Sequence, residues 1–296
     1  DGMGGAVKAI AYMKGRLVDS NAARIAGIEA GTTTVVGVNK WQAGEPSPLT
    51  AGDDAIMVAD PAAEADQLAR LDAWKSDRDT AAVKIALAAL REAANDGSNI
   101  MPPSIACARA GVTTGEWADV IRSVFGQYRA PTGVSKNPSN RTEGLDALRD
   151  RVDLVSHALG RRLKFLVGKP GLDGHSNGAE QIATRARDCG MDIAYEGIRL
   201  TPDEIVAAAA ADDAHVIGLS ILSGSHIPLI GEVIAKLNAA GLGHIPVIAG
   251  GIIPEADAAH LRDMGVAAVY TPKDFELNKI MDDIITLVDP RKLAAE

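Results

Sequence analysis

After residue 160 this sequence settles into an alternation that few folds accommodate. Five short apolar runs appear: LKFLV (163–167), DIAYE (192–196), HVIGLSI (215–221), IPVIAG (245–250) and AAVY (267–270). They alternate with stretches of helical spacing at about 177–189, 202–211, 227–240, 255–264 and 274–288. Strands alternating with helices of this length read as βα units, in which each crossover helix returns the chain to a parallel neighbour. The third and fourth runs are apolar throughout, as strands buried on both faces of a parallel sheet are. The expectation for residues 161–296 is therefore an α/β domain built on a doubly wound, five-stranded parallel sheet.

The first 160 residues read differently. Residues 4–31 have helical spacing, ended by Gly31, and the β-branched TTTVVGVNKW (32–41) reads as a strand. QAGEPSPLTAGDD (42–54) is a loop and AIMVAD (55–60) a short strand. Pro61 opens a long helical stretch reaching about Ala94. NDGSNIMPP breaks it, and shorter helices follow near 103–109 and 114–127. RAPTGVSKNPSNRTEG (129–144) has a linker's content of Pro, Ser, Asn and Gly. The expected organisation is the end of a preceding domain over 1–50, a mostly helical linker region over 51–128, a connector over 129–160 and the sheet domain over 161–296. The opening DGMGGAVKAIAYMKGRL lacks an initiator methionine and is already helical in pattern, so the chain is expected to be part of a longer polypeptide.

Charge and composition narrow the partners. With 30 basic and 39 acidic residues the net charge is −9, which argues against a nucleic-acid partner, because phosphate binding needs clustered Lys and Arg. No apolar run approaches the roughly 20 residues that span a bilayer, and no signal-peptide pattern is present, so no membrane partner is expected. Cys107 and Cys189 lie far apart and match no metal spacing, which suggests a reducing, cytoplasmic setting without a disulfide.

The unusual residues fall together. In a doubly wound sheet, ligands bind outside the carboxyl ends of the strands. There the sequence has GKPGLDGHSNG (168–178) after the first strand and SILSGSH (220–226) at the end of the third. GGIIP (250–254) ends the fourth and YTPKD (270–274) the fifth. Alone, Asp173 could cap a turn, Ser220 could be a satisfied core hydroxyl and Gly250–Gly251 a tight turn. Jointly they are more specific. D-x-H-x-x-G (Asp173, His175, Gly178) is followed after 41 residues (179–219) by S-x-L (Ser220, Leu222), and after 27 more (223–249) by Gly250–Gly251. This pattern resembles the signature of cobalamin-binding domains.

That resemblance implies a role for each residue. His175 is the expected lower axial ligand to cobalt of a corrinoid, in place of the cofactor's own base. A ligating imidazole usually has its second nitrogen fixed by a carboxylate or carbonyl. Asp173, two positions earlier, would do this, with Lys169 behind it. Gly178, Gly250 and Gly251 would make room for the displaced nucleotide tail, since glycine permits close approach, and Ser220 would hydrogen-bond the buried base. Gly171, Gly174, Leu222 and Tyr270 complete the expected cofactor-binding set. His226 is close enough to the rim to touch the corrin or the tail loop, and the remaining histidines have no partner pattern.

The likeness extends along the chain. RLKFLVGKPGLDGHSNGAEQIATRARDCGMDIAYEGIRLTPDEIV (162–206) resembles the cobalamin domain of the adenosylcobalamin-dependent acyl-CoA mutases. VDSNAARIAGIEAGTTTVVGVNKW (18–41) resembles the segment closing their substrate barrel, and APTGV (130–134) their connector. KPGLDGHSNG and YTPKDF (270–275) favour the ethylmalonyl-CoA branch over the methylmalonyl-CoA one. The resemblance implies a flavodoxin-like domain, radical isomerisation, an acyl-CoA substrate held by a barrel upstream, and a homodimeric whole. Catalytic residues are expected outside these 296 positions, so the chain alone is expected to be inactive. A methylmalonyl-CoA mutase or a corrinoid carrier for methyl transfer, which shares the signature, is the alternative.

Overall fold

The computed structural model describes residues 2–43, 60–129, 132, 145–274 and 276–293. The chain divides into two compact units, one made of 1–44 with 130–296 and the other of 45–129.

The first unit opens with α1 (Ile10–Glu29). It begins later than residue 4 because Gly4 and Gly5 take left-handed backbone, φ 79° and 93°, which a helix cannot continue through. The expected strand at 32–41 is not formed; there is only an isolated bridge between Val36 and Lys40. Its β-branched residues find no partner strand among those described. Instead Asn39 gathers the segment into a turn, its Oδ1 accepting from Val35 N (2.8 Å) and its Nδ2 donating to the Ile28 (2.9 Å) and Thr33 (2.8 Å) carbonyls. The short strand at 55–60 and the linker at 129–144 fall almost wholly outside the described residues.

The second unit is helical. The stretch expected from Pro61 to Ala94 is two helices, α2 (Pro61–Asp77) and α3 (Thr80–Asp96). Asp79 divides them because its carboxylate caps α3, accepting from Ala81 N (2.8 Å) and Ala82 N (3.1 Å). α4 (Met101–Arg109) and α5 (Thr114–Phe125) follow, the latter opened by a capping box of Thr113 and Glu116. Ala86, Leu90, Cys107 and Val120 form the unit's buried core.

The sheet follows α6 (Asp146–Leu159), a helix the linker-like composition just before it obscures. Its elements alternate as β1 (Lys164–Gly168), α7 (Asn177–Asp188), β2 (Asp192–Tyr195), α8 (Pro202–Ala211), β3 (Val216–Ser220) and α9 (His226–Ala239), continuing with β4 (Val247–Gly250), α10 (Glu255–Asp263), β5 (Ala268–Tyr270), α11 (Leu277–Leu287) and the short α12 (Pro290–Leu293). The strand order is β2-β1-β3-β4-β5 and every pairing is parallel. All five expected strands are present, in the doubly wound order.

The central strands are apolar on both faces because both are covered. Phe165 and Val167 of β1 join Ala183, Ala186, Met281 and Ile284 in one core. Leu166, one residue out of phase, joins Ile205, Ile217, Leu219 and Val233 in the other. Each fully buried aliphatic side chain of this kind stabilises the fold by about 1.5–3 kcal/mol. β1 pairs with β2 on one side and β3 on the other, so the chain reverses its winding between β1 and β3. There the loops beyond the strand ends diverge and leave a crevice. No helix among the described residues is long and apolar enough to cross a membrane.

Candidate functional site

The loop after β1 is pinned before it reaches Asp173. Gly171 N donates to the Leu200 carbonyl (3.0 Å) and Leu200 N to that of Lys169 (3.0 Å), tying the loop to the segment after β2. Gly171 has φ 83°, and an added Cβ would meet Leu229 Cδ1 at 2.6 Å. Its glycine is therefore favoured by the left-handed turn, while the Leu229 methyl could move aside. Leu172 is turned to solvent, 91% exposed.

Asp173 has both carboxylate oxygens engaged. Oδ1 accepts from His175 N (3.0 Å) and lies 2.7 Å from His175 Nδ1. Oδ2 accepts from Lys169 Nζ (3.2 Å) and Leu222 N (3.0 Å). Lys169, 0% exposed, also donates to the Ser220 carbonyl (2.9 Å). Burial works against ionisation of Asp173, but the hydrogen bonds from the His175 and Leu222 amides, the imidazole and the ammonium outweigh it. They hold the carboxyl well below the usual carboxylate range. Burial pushes the Lys169 ammonium below the usual lysine value, and Asp173 opposes that shift. A buried lysine paired to a buried carboxylate is a fixed anchor: removing either leaves the other charge uncompensated.

The His175 ring is different in character, its side chain 77% exposed. In the tautomer that donates Nδ1–H to Asp173, the lone pair lies on Nε2, the nitrogen Asp173 does not hold. Among the described residues no three His, Cys, Asp or Glu side chains gather to cage a metal ion. A single oriented imidazole suits a metal that arrives already ringed by other donors.

Beside the loop a groove of about 320 Å³ runs between the strand ends and the start of α7. Gly178, Ser220, Leu222, Gly250, Gly251 and Tyr270 all line it. The glycines serve it in two ways. A Cβ on Gly178 would have Ser220 Oγ nearest at 4.0 Å, and one on Gly250 the Tyr270 carbonyl at 3.9 Å, so both would fit the fold and occupy groove space. A Cβ on Gly251 would collide with the carbonyl of Ile221, so that glycine is fixed by the backbone. Tyr270 lies with its hydroxyl 3.5 Å from Asp283 Oδ2, and burial, then Asp283, push its phenol above the usual value. Gly174 stays outside the groove, with Arg199 the nearest neighbour of its missing Cβ, at 3.8 Å.

Other groove residues escape a reading by motif. Leu277 and Ile280 line it from α11, at a helical spacing that marks them as one face. Ile25 lines it from α1, far from the sheet in sequence, and no local pattern announces that placement. α1 reaches it because Lys14 Nζ bonds Glu180 Oε1 (2.7 Å) and Ser176 Oγ (3.2 Å), while Glu29 accepts from Arg185 (2.9 Å) and Leu277 N (3.1 Å). His226 does not line the groove; its ring is 4% exposed and bound to Asp257.

Comparison with known proteins adds to this geometry. Residues 1–127 match the family model of methylmalonyl-CoA mutase, and residues 163–274 that of the B12 binding domain. The chain is 69% identical over its full length to the ethylmalonyl-CoA mutase of Cereibacter sphaeroides, of which it spans 45%. It is 57% identical over 97% of its length to the ethylmalonyl-CoA mutase of Methylorubrum extorquens, spanning 42%. Against the methylmalonyl-CoA mutase of C. sphaeroides the identity is 35%, over 92% of this chain and 39% of that one. The chain thus spans less than half the length of these curated relatives.

Proposed function

We propose that the chain is the cobalamin-binding part of an ethylmalonyl-CoA mutase, one of the acyl-CoA mutases that carry a B12 binding domain, and an isomerase that converts ethylmalonyl-CoA to methylsuccinyl-CoA. The observation that carries the proposal is the Asp173–His175 pair, an exposed imidazole 2.7 Å from a buried carboxylate that also accepts from the Leu222 amide, beside a groove lined by Leu222, Gly178, Gly250 and Gly251.

The residues present fit a corrinoid. His175 would ligate the cobalt through the ring nitrogen that Asp173 leaves free. Asp173 fixes the tautomer and turns the ring outward, and Lys169 holds Asp173. The groove past Gly178 and Gly250 has the missing side chains that a nucleotide tail needs, with the Ser220 hydroxyl beside it. Bound adenosylcobalamin supplies the radical chemistry of the carbon-skeleton rearrangement; the protein supplies position and shelter. The rearrangement is an isomerisation, so atoms and oxidation level balance without a co-reactant.

Among the described residues the only strands are those of one open sheet, and none closes a barrel around an acyl-CoA. Reactive intermediates need an enclosed site. We assign acyl-CoA binding to a barrel domain of the kind that the mutase family model matching residues 1–127 belongs to. The buried, unpaired thiols Cys107 and Cys189 agree with a reducing, cytoplasmic setting.

The test is a spectrophotometric titration of the 296-residue chain with adenosylcobalamin, followed by a turnover assay. We expect binding with displacement of the cofactor's own base and no isomerisation. A polypeptide extended to the relatives' length should turn over ethylmalonyl-CoA in preference to methylmalonyl-CoA. Absence of cobalamin binding overturns the proposal, and the reverse substrate preference overturns the choice of branch.

A further inference from the structure

His226 and Asp257 form a side-chain pair that the site described above does not use. His226 is the first residue of α9, and its Nε2 lies 2.8 Å from Oδ2 of Asp257 in the first turn of α10. Its Nδ1 lies 3.3 Å from the carbonyl oxygen of Ser223. The ring is buried, whereas the Asp257 side chain is one-third exposed at 34%.

The loop this pair touches has few other supports. Ile221 N still belongs to the sheet, donating to the Gly250 carbonyl (2.9 Å), and Leu229 N already belongs to α9, donating to that of Ser225 (3.2 Å). Between them, Leu222 N donates to Asp173 Oδ2 (3.0 Å) and the Ser223 carbonyl faces the His226 ring. Gly224 is exposed, has nothing near its missing Cβ, and adds no packing. Ser225 caps α9 with no side-chain hydrogen bond. These two contacts tie the middle of the loop to Asp173 and to α9.

One of them is part of the His175 support. Asp173 Oδ2 has two donors, Lys169 Nζ and Leu222 N. If Leu222 moves, the carboxylate loses an amide donor and the ring it holds loses its fixed orientation. We infer that His226, with both ring N–H groups donated, Nε2–H to the Asp257 carboxylate and Nδ1–H to the Ser223 carbonyl, is a positioning residue for the proposed cobalt ligand: it holds Ser223, hence the Leu222 amide, hence Asp173 and His175. The path joins the loops after β1, β3 and β4 by contacts of 2.7–3.3 Å. Hydrogen-bonded chains of this kind act as a unit, so deleting one member disturbs the rest. This rests on the cobalamin reading above for its consequence, though not for its structural half.

The experiment has two readouts on the same 296-residue chain, with His226→Ala and Asp257→Ala, singly and combined. The first is residue-resolved amide exchange without cofactor. We expect the Leu222 amide to exchange about 10-fold faster or more in either variant, with the β3 amides unchanged. The double variant should add little to His226→Ala, since both act through one ring. The second is cobalamin titration with electron paramagnetic resonance of the cob(II)alamin form carrying nitrogen-15 histidine. Binding should weaken about 10–100-fold, the usual effect of altering the partners behind a metal ligand, with a smaller fraction of cobalt coupled to histidine nitrogen.

Unchanged Leu222 exchange in a folded variant overturns the inference. So does faster exchange with unaltered affinity and histidine coupling. If His226→Ala does not fold, Asp257→Ala, altered at a partly exposed position, decides by the same two readouts. Failure of the wild-type chain to bind cobalamin instead sinks the cofactor reading, and leaves the Leu222 exchange result to decide the loop's dependence on His226.

Discussion

Nδ1 of His175 lies 2.7 Å from Oδ1 of Asp173, one side chain about three-quarters exposed and the other almost wholly buried. Burial makes the carboxylate immobile, and exposure makes the ring available. The two roles are separable by mutation. His175→Ala removes the proposed ligand, so cobalamin should bind weakly and the cob(II)alamin spectrum should show no coupling to nitrogen-15 histidine. Asp173→Asn keeps the ligand but replaces the ionised acceptor, and should cost roughly 10–100-fold in affinity or activity. A His175→Ala spectrum identical to wild type, or an Asp173→Asn protein equal to wild type in both quantities, contradicts these roles. Because Asn cannot compensate buried Lys169, its unfolding midpoint should fall as well.

The helical unit carries its own titration. Glu116 accepts from Arg78 Nη1 (2.6 Å) and Thr113 N (2.9 Å), and Arg78 foremost lowers its carboxyl to about 2. A depressed carboxyl contributes stability above its unfolded value, and loses it as pH falls through the folded one. The window is thus from 4.5 down to about 2. The whole shift corresponds to about 3 kcal/mol, which solvent around a side chain 29% exposed reduces to about 1 kcal/mol. Urea unfolding followed by the fluorescence of Trp74 and Trp117 should show wild type ahead of Glu116→Gln by that amount at pH 7. The gap should close near pH 2. A gap constant across the window would mean that the difference does not come from ionisation.

The five strands are legible in the sequence because a parallel sheet covered on both faces demands short apolar runs, and helices of matching length must separate them. The segment 32–41 is equally β-branched, yet it is a turn, since strand formation needs a partner and Asn39 satisfies the local backbone instead. α6 carries Leu148, Val152 and Val155 at helical spacing, but a neighbouring stretch of linker composition hides it. Of the site, Lys169, Asp173 and His175 are legible because their chemistry resides in side chains at fixed offsets. The Leu222 amide is not, because a backbone donor leaves no trace in residue type. Ile25 is not either, because its place in the groove depends on ion pairs at both ends of α1.

Amide exchange should separate what is built from what the cofactor must order. The segment 171–188 looks uniformly dependent on a ligand from its glycines alone. In the structure, eight residues of α7, among them Ala179, Ala183 and Arg187, are buried. Low protection belongs to segments with few buried contacts. Without cobalamin, fast exchange should therefore concentrate in 171–178, with 179–188 already protected, and cofactor should slow the first group selectively. Equal protection of 171–178 in both states would show that the loop is ordered by the protein alone.

The glycines around the groove give a test that separates folding from binding. Gly178 and Gly250 have room for a methyl group, with nearest neighbours at 4.0 and 3.9 Å, and that room is the groove itself. Neither has a left-handed backbone, so alanine is conformationally acceptable at both. Gly178→Ala and Gly250→Ala should keep the wild-type unfolding midpoint, the former gaining slightly because alanine favours the helix it opens. Cobalamin affinity should fall in each. Overpacking a filled site costs about 1–3 kcal/mol, or roughly 5- to 150-fold in the dissociation constant. Gly251→Ala is the contrast, because its Cβ would strike the Ile221 carbonyl, a backbone atom that cannot rotate away. That variant should lose stability by about 3 kcal/mol or more whether or not cofactor is present. Unchanged cobalamin affinity in both Gly178→Ala and Gly250→Ala would place the nucleotide tail outside this groove, even if His175 remained the ligand.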